Sequence, residues 1–249
     1  MNKTSLKDTV AVVTGAGGTM GRAVVESLLA QGCRVAMVDV KREALDLQRS
    51  RLGERVMALV CDIRDPADVQ RAHDAVWAAW GPVAILVNNA GVLSNNKLEA
   101  TTVAEWRQVL AVNLDGAMFW SQCVVPGMKT AGWGRIVNVG SLASKTGGIT
   151  AGTAYSVSKG ALAALTFTLA RELASHGVTA NAIAPAYVNT PMVTEQLNEE
   201  QRQALLKQVP VGRFCEPEEF AHVVSFLVSP MSGFITGEVI DLNGGLHMD

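Results

Sequence analysis

The chain has 249 residues, 49% of them hydrophobic and 18% charged, with a net charge of −2 at neutral pH. That composition excludes a disordered chain and permits one sizeable core. The near-balanced charge gives no electrostatic ground for nucleic acid or an anionic membrane as a partner. Cys33, Cys61, Cys123 and Cys215 form no C-x-x-C pair, and the four histidines stand apart. This argues against a disulfide framework or a zinc site and suits a reducing compartment. The N-terminal MNKTSLKDT lacks an apolar core of signal-peptide length, and no stretch reaches the ~18 apolar residues of a membrane span. The expectation is a soluble, cytoplasmic protein.

In chain order, residues 10–13 form a short β-branched run without alternation, as in a strand buried on both faces. It runs into the glycine-rich segment TGAGGTMG at 14–21, and an amphipathic helix carrying Ala23, Val24, Leu28 and Leu29 stops at Gly32. Residues 34–38 read as a second strand ending at Asp39. Strand, glycine-rich turn, helix, strand and acidic end together make a dinucleotide-binding βαβ unit, in which glycines admit the pyrophosphate to the helix N-terminus. Asp39 is placed to accept from ribose hydroxyls and to repel a 2′-phosphate, which favours NAD over NADP. Lys41 and Arg42 follow and soften that preference.

The alternation continues. Strands are predicted at 56–60, 83–87, 136–139, 178–183 and 239–242, and helices at 67–80, 103–129 (irregular near Asn113), from Tyr155 to Gly177, and 217–228. No linker or composition shift divides the chain. The fold class is α/β, a doubly wound Rossmann fold, as a single domain over residues 1–249 with a parallel sheet of about seven strands. In such a sheet ligands bind beyond the carboxyl ends of the strands. Gly15, Asp39, Asp62, Asn88, Ser141 and Pro185 all fall at or just past those ends.

Tyr155 and Lys159 lie four residues apart, on one face of a helix. An ammonium beside a phenol favours the phenolate, and bringing a tyrosine from ~10 to neutrality takes about 4 kcal/mol of differential stabilisation. Tyr155 is thus a candidate acid/base. Ser141, at a strand end, is placed to donate to an oxygen that gains charge.

Taken together, these residues resemble the short-chain dehydrogenase/reductase family along the whole chain. The match comprises TGAGGTMG at 14–21, Asp39, Asp62-Ile63, NNAG at 88–91, Asn113, Ser141 with Tyr155 and Lys159, PAYVNTPM at 185–192 and ITGEVIDLNGG near the C-terminus. The resemblance implies an NAD-dependent oxidoreductase that interconverts a secondary alcohol and a ketone by hydride transfer. It implies that Ser141 orients the carbonyl or alcohol and that Tyr155 transfers the proton. Lys159 holds the nicotinamide ribose and lowers the tyrosine pKa, and Asn113 keeps a helix bulge for a proton relay. Cofactor contacts fall on Gly15, Gly18, Thr19, Met20, Asp39, Asp62, Ile63, Asn89, Ala90, Gly91, Tyr155, Lys159, Pro185, Val188 and Thr190. A homotetramer is implied too, through helices in which Gly160, Ala161, Ala163 and Ala164 permit close approach.

Two positions depart from the family pattern: Thr19 replaces the usual second glycine of the phosphate loop, and Ala186 follows Pro185 where glycine is usual. Asp62 also suits a turn cap, and Tyr187 suits a pocket wall or a surface loop. The tryptophans are expected in core or interface packing. Residues 190–207, with Met192 and Leu197 as apolar points, are read as a substrate lid. The substrate pocket is expected from residues 93–98, 142–150, 187 and 191–207, which offer Leu93, Leu98 and Leu142 beside Asn95, Asn96, Lys145 and Thr146. The mixture tilts the reading to a small-molecule polyol or sugar. The alternatives are a 3-oxoacyl thioester, for which NADPH is the more natural reductant, a cyclic or steroid-type alcohol, and a non-catalytic NAD sensor.

Overall fold

A computed structural model describes residues 4–191 and 199–248. Seven parallel strands make one sheet: β1 (Val10–Thr14), β2 (Arg34–Asp39), β3 (Val56–Val60), β4 (Ile85–Asn88), β5 (Gly134–Val139), β6 (Val178–Pro185) and β7 (Val239–Leu242), in the order β3-β2-β1-β4-β5-β6-β7. Strand order reverses between β1 and β4, and this switch point opens a crevice above the sheet. The inner strands are buried along their length, which is why their sequences run apolar without alternation.

Helices cover both faces. On one face α1 (Thr19–Ala30) and α9 (Pro217–Val228) pack Val24, Leu28, Phe220 and Val224 against Val13, Val35 and Val137. On the other, α3 (Pro66–Trp80), α5 (Gly116–Ala131) and α7 (Thr153–Leu173) pack Val69, Val76, Trp120, Val124 and Leu169 against Val12, Leu86 and Ile136. Trp120 is fully buried, whereas Trp77 is 46% exposed beside His73. Among the described residues no helix is long and apolar enough to cross a membrane.

The remaining helices are α2 (Arg42–Leu52), α4 (Val103–Leu110), α6 (Ala143–Thr146) and α8 (Glu199–Leu206). Helix α2 is absent from the sequence reading because it buries only Leu45 and Gln48, so its apolar stripe barely registers. The expected strand at 83–87 pairs with its neighbours only from Ile85. The irregularity expected near Asn113 is a π-helical turn at Ala111–Asp115, joining α4 to α5. Of the expected lid, α8 is helical, while Met192 and Leu197 lie outside the described residues.

Candidate active site

The phosphate-loop region is built on close backbone approach. Gly15 has φ +65°, and a Cβ there would lie 2.8 Å from the Ala90 Cα. On Gly21 a Cβ would lie 2.2 Å from the Gly15 carbonyl oxygen, so α1 can sit this close to the loop only with glycine. The Asn89 side-chain amide donates to the carbonyls of Thr14 (2.9 Å) and Gly15 (3.2 Å). The Thr14 hydroxyl in turn accepts from the amides of Asn89 and Ala90, each at 3.0 Å.

Gly18 is the N-cap of α1, supplies no side-chain cap, and no acidic residue occupies the first turn. The first amides of a helix have no intrahelical partner, so this end carries partial positive charge toward the crevice. By contrast α3 and α4 are capped by the side chains of Asp65 and Thr102. Thr19 and Met20 form the first turn, and Thr19 borders a cleft of about 380 Å³ shared with Arg22, Asn189 and Glu216.

At the end of β2, Asp39 accepts from the Gly17 amide (2.9 Å) and the Lys41 amide (3.0 Å). An open helix N-terminus, a glycine cradle and an anchored carboxylate fit the pyrophosphate and ribose of a dinucleotide. Asp62 is engaged by Arg64 through its amide (3.0 Å), Nε (2.9 Å) and Nη2 (2.6 Å), which hold the carboxyl below its usual range. Its turn role is therefore visible, and a carboxylate keeps further acceptor sites for another donor. The Ile63 side chain fills the space a Cβ on Gly116 would take.

The catalytic candidates converge at the ends of β4 and β5 and the start of α7. The Ser141 hydroxyl acts on the Tyr155 phenol in the direction that favours its ionised form, and Ser141 Oγ accepts from the Ala143 amide at 3.1 Å. Lys159 is buried, donates to the Val139 carbonyl at 2.7 Å, and stands 5.7 Å from the Tyr155 ring centroid. Asn113 is buried in the π-turn, where its Oδ1 accepts from the Val92 amide (2.8 Å) and its Nδ2 donates to the Val92 carbonyl and Ser158 Oγ (3.0 Å each). Ser158 Oγ donates to the Tyr155 carbonyl at 2.7 Å, so Asn113 ties the β4 loop to the Tyr155 helix. A Cβ on Gly91 would lie 3.4 Å from both Asn113 Oδ1 and Lys159 Nζ.

In the chain alone, burial governs both groups. Burial raises Tyr155 above its ordinary value of 10.0, opposed by the Ser141 hydroxyl, and burial lowers the Lys159 ammonium to about 8. Each group resists its charged form because water is excluded. The chain alone therefore holds a neutral phenol, a proton donor, beside a lysine that titrates near neutrality.

Pro185 ends β6, and its carbonyl accepts from the Leu142 amide at 3.0 Å. Val188 bridges to Cys215, and Thr190 follows in a bend. Residues that went unremarked in the sequence also shape the site. Lys97 and Glu105 brace its rim. From Asn88, one of the expected strand-end residues, Asn138 and Thr166 continue a chain (2.9 Å at each link) that ties β4 and β5 to α7. Residue type carries little signal for any of these, because each works through a partner distant in sequence.

The chain matches the family described as enoyl-(acyl carrier protein) reductase over residues 15–247. It is 38% identical over 245 residues to the 3-oxoacyl-[acyl-carrier-protein] reductase FabG of Vibrio cholerae, covering 98% of this chain and 99% of that protein. It is 36% identical over 240 residues to FabG of Escherichia coli, covering 96% and 97%. Nodulation protein G of Azospirillum brasilense is 38% identical over 242 residues, covering 96% and 98%. Among solved structures, a short-chain dehydrogenase/reductase of Brucella melitensis titled glucose/ribitol dehydrogenase superposes with a TM-score of 0.92 at 30% identity, covering 99% of this chain and 100% of that one. The protein belongs to the short-chain dehydrogenase/reductase family of nicotinamide-dependent oxidoreductases.

Proposed function

We propose that the protein interconverts a 3-oxoacyl thioester and the corresponding 3-hydroxyacyl thioester with NAD as its cofactor. The observation that carries the reaction type is the convergence of Ser141, Tyr155 and Lys159 at the strand ends, with the Lys159 ammonium 5.7 Å from the Tyr155 ring and Ser141 fixed by the Ala143 amide. The nicotinamide, when bound, supplies or accepts the hydride. The Ser141 hydroxyl orients the substrate oxygen, and the Tyr155 phenol gives that oxygen its proton in reduction or regains it in oxidation. Lys159 holds the ribose edge, and the Asn113 turn keeps the helix start in register. Gly15, Gly18, Thr19, Met20, Asn89, Ala90 and Gly91 line the cofactor's path, Asp39 takes the ribose hydroxyls, and Asp62 and Ile63 flank the adenine. Pro185, Val188 and Thr190 receive the carboxamide end.

Kinship over nearly the whole chain with 3-oxoacyl-[acyl-carrier-protein] reductases supports the thioester reading. The pocket lends separate support. Of the polar groups available to a polyol, Asn96 Nδ2 donates to Glu105 (2.8 Å), Lys145 pairs with Asp241 (2.6 Å) and Thr146 Oγ1 donates to the Leu142 carbonyl (3.2 Å). With Asn96, Lys145 and Thr146 engaged internally and Asn95 exposed, the rim suits an acyl chain better than a ring of hydroxyls. Sugar or polyol oxidation is the second reading, favoured by the likeness to the structure titled glucose/ribitol dehydrogenase.

The experiment is NADH consumption with a 3-oxoacyl thioester and NADH formation with a polyol panel, each repeated with the phosphorylated cofactor. Turnover of the thioester with NADH is the expected result. Turnover confined to polyols would replace it with the second reading, and a preference for NADPH would overturn the cofactor assignment. We also infer a cytoplasmic homotetramer, supported by the face of α7 on which Val157 and Phe167 are exposed around Gly160. A monomeric mass in light scattering would remove that assembly.

A further inference from the structure

We propose that Lys97 is a positioning residue that sets the shape of the substrate wall, by holding loop 147–152 folded around its ammonium. The inference rests on the assignment of Ser141 and Tyr155 as the proton-transfer pair. Lys97 Nζ donates to the carbonyls of Gly148 (2.9 Å), Ala151 (2.6 Å) and, at longer range, Ile149 (3.5 Å). Carbonyl dipoles converging on one point repel one another unless a cation sits there, and bonds to an ionised donor are the stronger kind. Glycine makes the bend sterically accessible. Gly147 and Gly148 have φ +73° and +82°, and a Cβ on Gly148 would lie 2.3 Å from Ser156 Oγ.

The segment that carries Lys97 is itself fixed. The Glu105 carboxylate accepts from the Ser94 hydroxyl and from Asn96 Nδ2 (2.8 Å). The backbone of that segment then receives the start of α7, with the Gly152 amide on the Ser94 carbonyl (2.7 Å) and the Thr153 amide on the Asn96 carbonyl (3.0 Å). What hangs on this clasp is the wall facing Tyr187. Ile149 is exposed at the loop tip, and Thr150 Oγ1 lies 3.5 Å from the Tyr187 hydroxyl.

The reacting groups are held by different contacts: Ser141 by the Ala143 amide, Lys159 by the Val139 carbonyl and the α7 backbone by Ser158 and Asn113. Losing the clasp should therefore alter how the substrate is received and leave the chemical step in place.

The test compares Lys97→Met, which keeps the stem and removes the charge, with Lys97→Arg, which restores a cation with several donors. With the substrate that turns over, Lys97→Met is expected to raise KM about tenfold with kcat within about twofold, while Lys97→Arg recovers most of the loss. NADH affinity, read by fluorescence, should not change. Independently of any substrate, amide exchange across residues 148–153 should accelerate in Lys97→Met and not in β4 or β5. Unchanged KM with unchanged exchange would overturn the proposal, as would a fall in kcat that matches the change in KM. Tyr155→Phe run beside it separates the two ideas. An inactive Phe variant with an unaltered Lys97→Met sinks only the clasp, whereas an active Phe variant sinks the proton-transfer assignment beneath it.

Discussion

Two glycine-rich loops of this molecule look alike in sequence and differ in electrical character. Residues 15–18 lead from β1 into α1, and residues 147–152 lead from α6 into α7. Both helices have a glycine N-cap and no side-chain cap. The first loop is braced from behind, by Asn89 on the Gly15 carbonyl, Gln48 Nε2 on the Ala16 carbonyl (2.7 Å) and Asp39 on the Gly17 amide. Its helix end is left positive toward the crevice, as an anion requires. The second loop is closed on itself: its carbonyls hold the Lys97 ammonium, and the amides of Gly152 and Thr153 are taken by Ser94 and Asn96. Glycine permits both shapes. What decides between them is whether a cation and spare carbonyls lie within reach, and so one loop stays open to an anion, as the proposed function requires, while the other builds a wall.

The widest separation between the two sides comes from Tyr155→Phe. Removing the phenolic hydroxyl removes the proton carrier, so turnover should fall by ~10²–10⁴-fold. Binding of NADH, which the first loop is proposed to govern, should persist in a fluorescence titration. Loss of both together would mean that the two loops are not separable units.

Next in size is the buried cation on α7, the helix that the second loop enters. Lys159 titrates at about 8 in the folded chain against an ordinary 10.5. Between those values the unfolded chain binds more protons than the folded one, so stability rises with pH as the folded lysine gives up its proton. The cost of burying the charge is fully present below about pH 8. A shift of this size corresponds to roughly 3 kcal/mol, relieved progressively between the folded and the unfolded lysine values. Above pH 10 the trend reverses, because the Tyr155 pKa is raised and the unfolded tyrosine ionises first. Denaturant unfolding across pH 7–10 should show the rise in the wild type, and Lys159→Met should flatten it. An equal rise in the variant would assign the effect to other groups.

A matched pair of glycines then tests whether each loop serves its own side. In Gly21→Ala the new methyl meets the Gly15 carbonyl oxygen at 2.2 Å, and in Gly152→Ala it meets the Asn96 carbonyl oxygen at 2.4 Å. Both are overpacked against backbone, so each should cost roughly 1–3 kcal/mol in thermal unfolding. The functional readouts should part: Gly21→Ala weakens NADH binding, and Gly152→Ala spares it while lowering kcat/KM. A shared phenotype would erase the contrast.

The parts of this fold that were legible from residues alone are those where one chemical type must recur at a fixed spacing. β-Branched runs ending in Asp39, Asn88 or Ser141 placed the strand ends on one rim, and Asn113 marked the helix irregularity that is a π-turn. What escaped has a common physical cause. Lys97 acts on backbone carbonyls, which every residue possesses, so no motif announces it. The inverted order of the Tyr155 and Lys159 pKa values follows from burial, which depends on the packed structure and not on their four-residue spacing. Asp62 read as an adenine contact or a turn cap, and only the three-dimensional placement of Arg64 showed how fully its carboxylate is engaged. Helix α2 is too polar to show a stripe.

The smallest expected effect bears on what the first loop recognises. On the proposed function Asp39 performs two tasks that the wild type cannot separate. Its Oδ2 holds the Gly17 amide, and its charge is proposed to face the ribose hydroxyls. Gly17 is pressed against it so closely that a Cβ would lie 2.9 Å from Oδ2, and on the proposed function a 2′-phosphate would be repelled by the same carboxylate. Asp39→Ser keeps an acceptor for Gly17 and deletes the charge. If repulsion sets the cofactor preference, NADH affinity should fall while NADPH affinity rises. The ratio of the two should move by about tenfold, or about 1.4 kcal/mol. The exposed Lys41 and Arg42 stand ready to receive the phosphate once the carboxylate is gone. If both affinities fall by the same factor, Asp39 is a strut for the loop and nothing more, and the choice of NAD must be made elsewhere in the crevice.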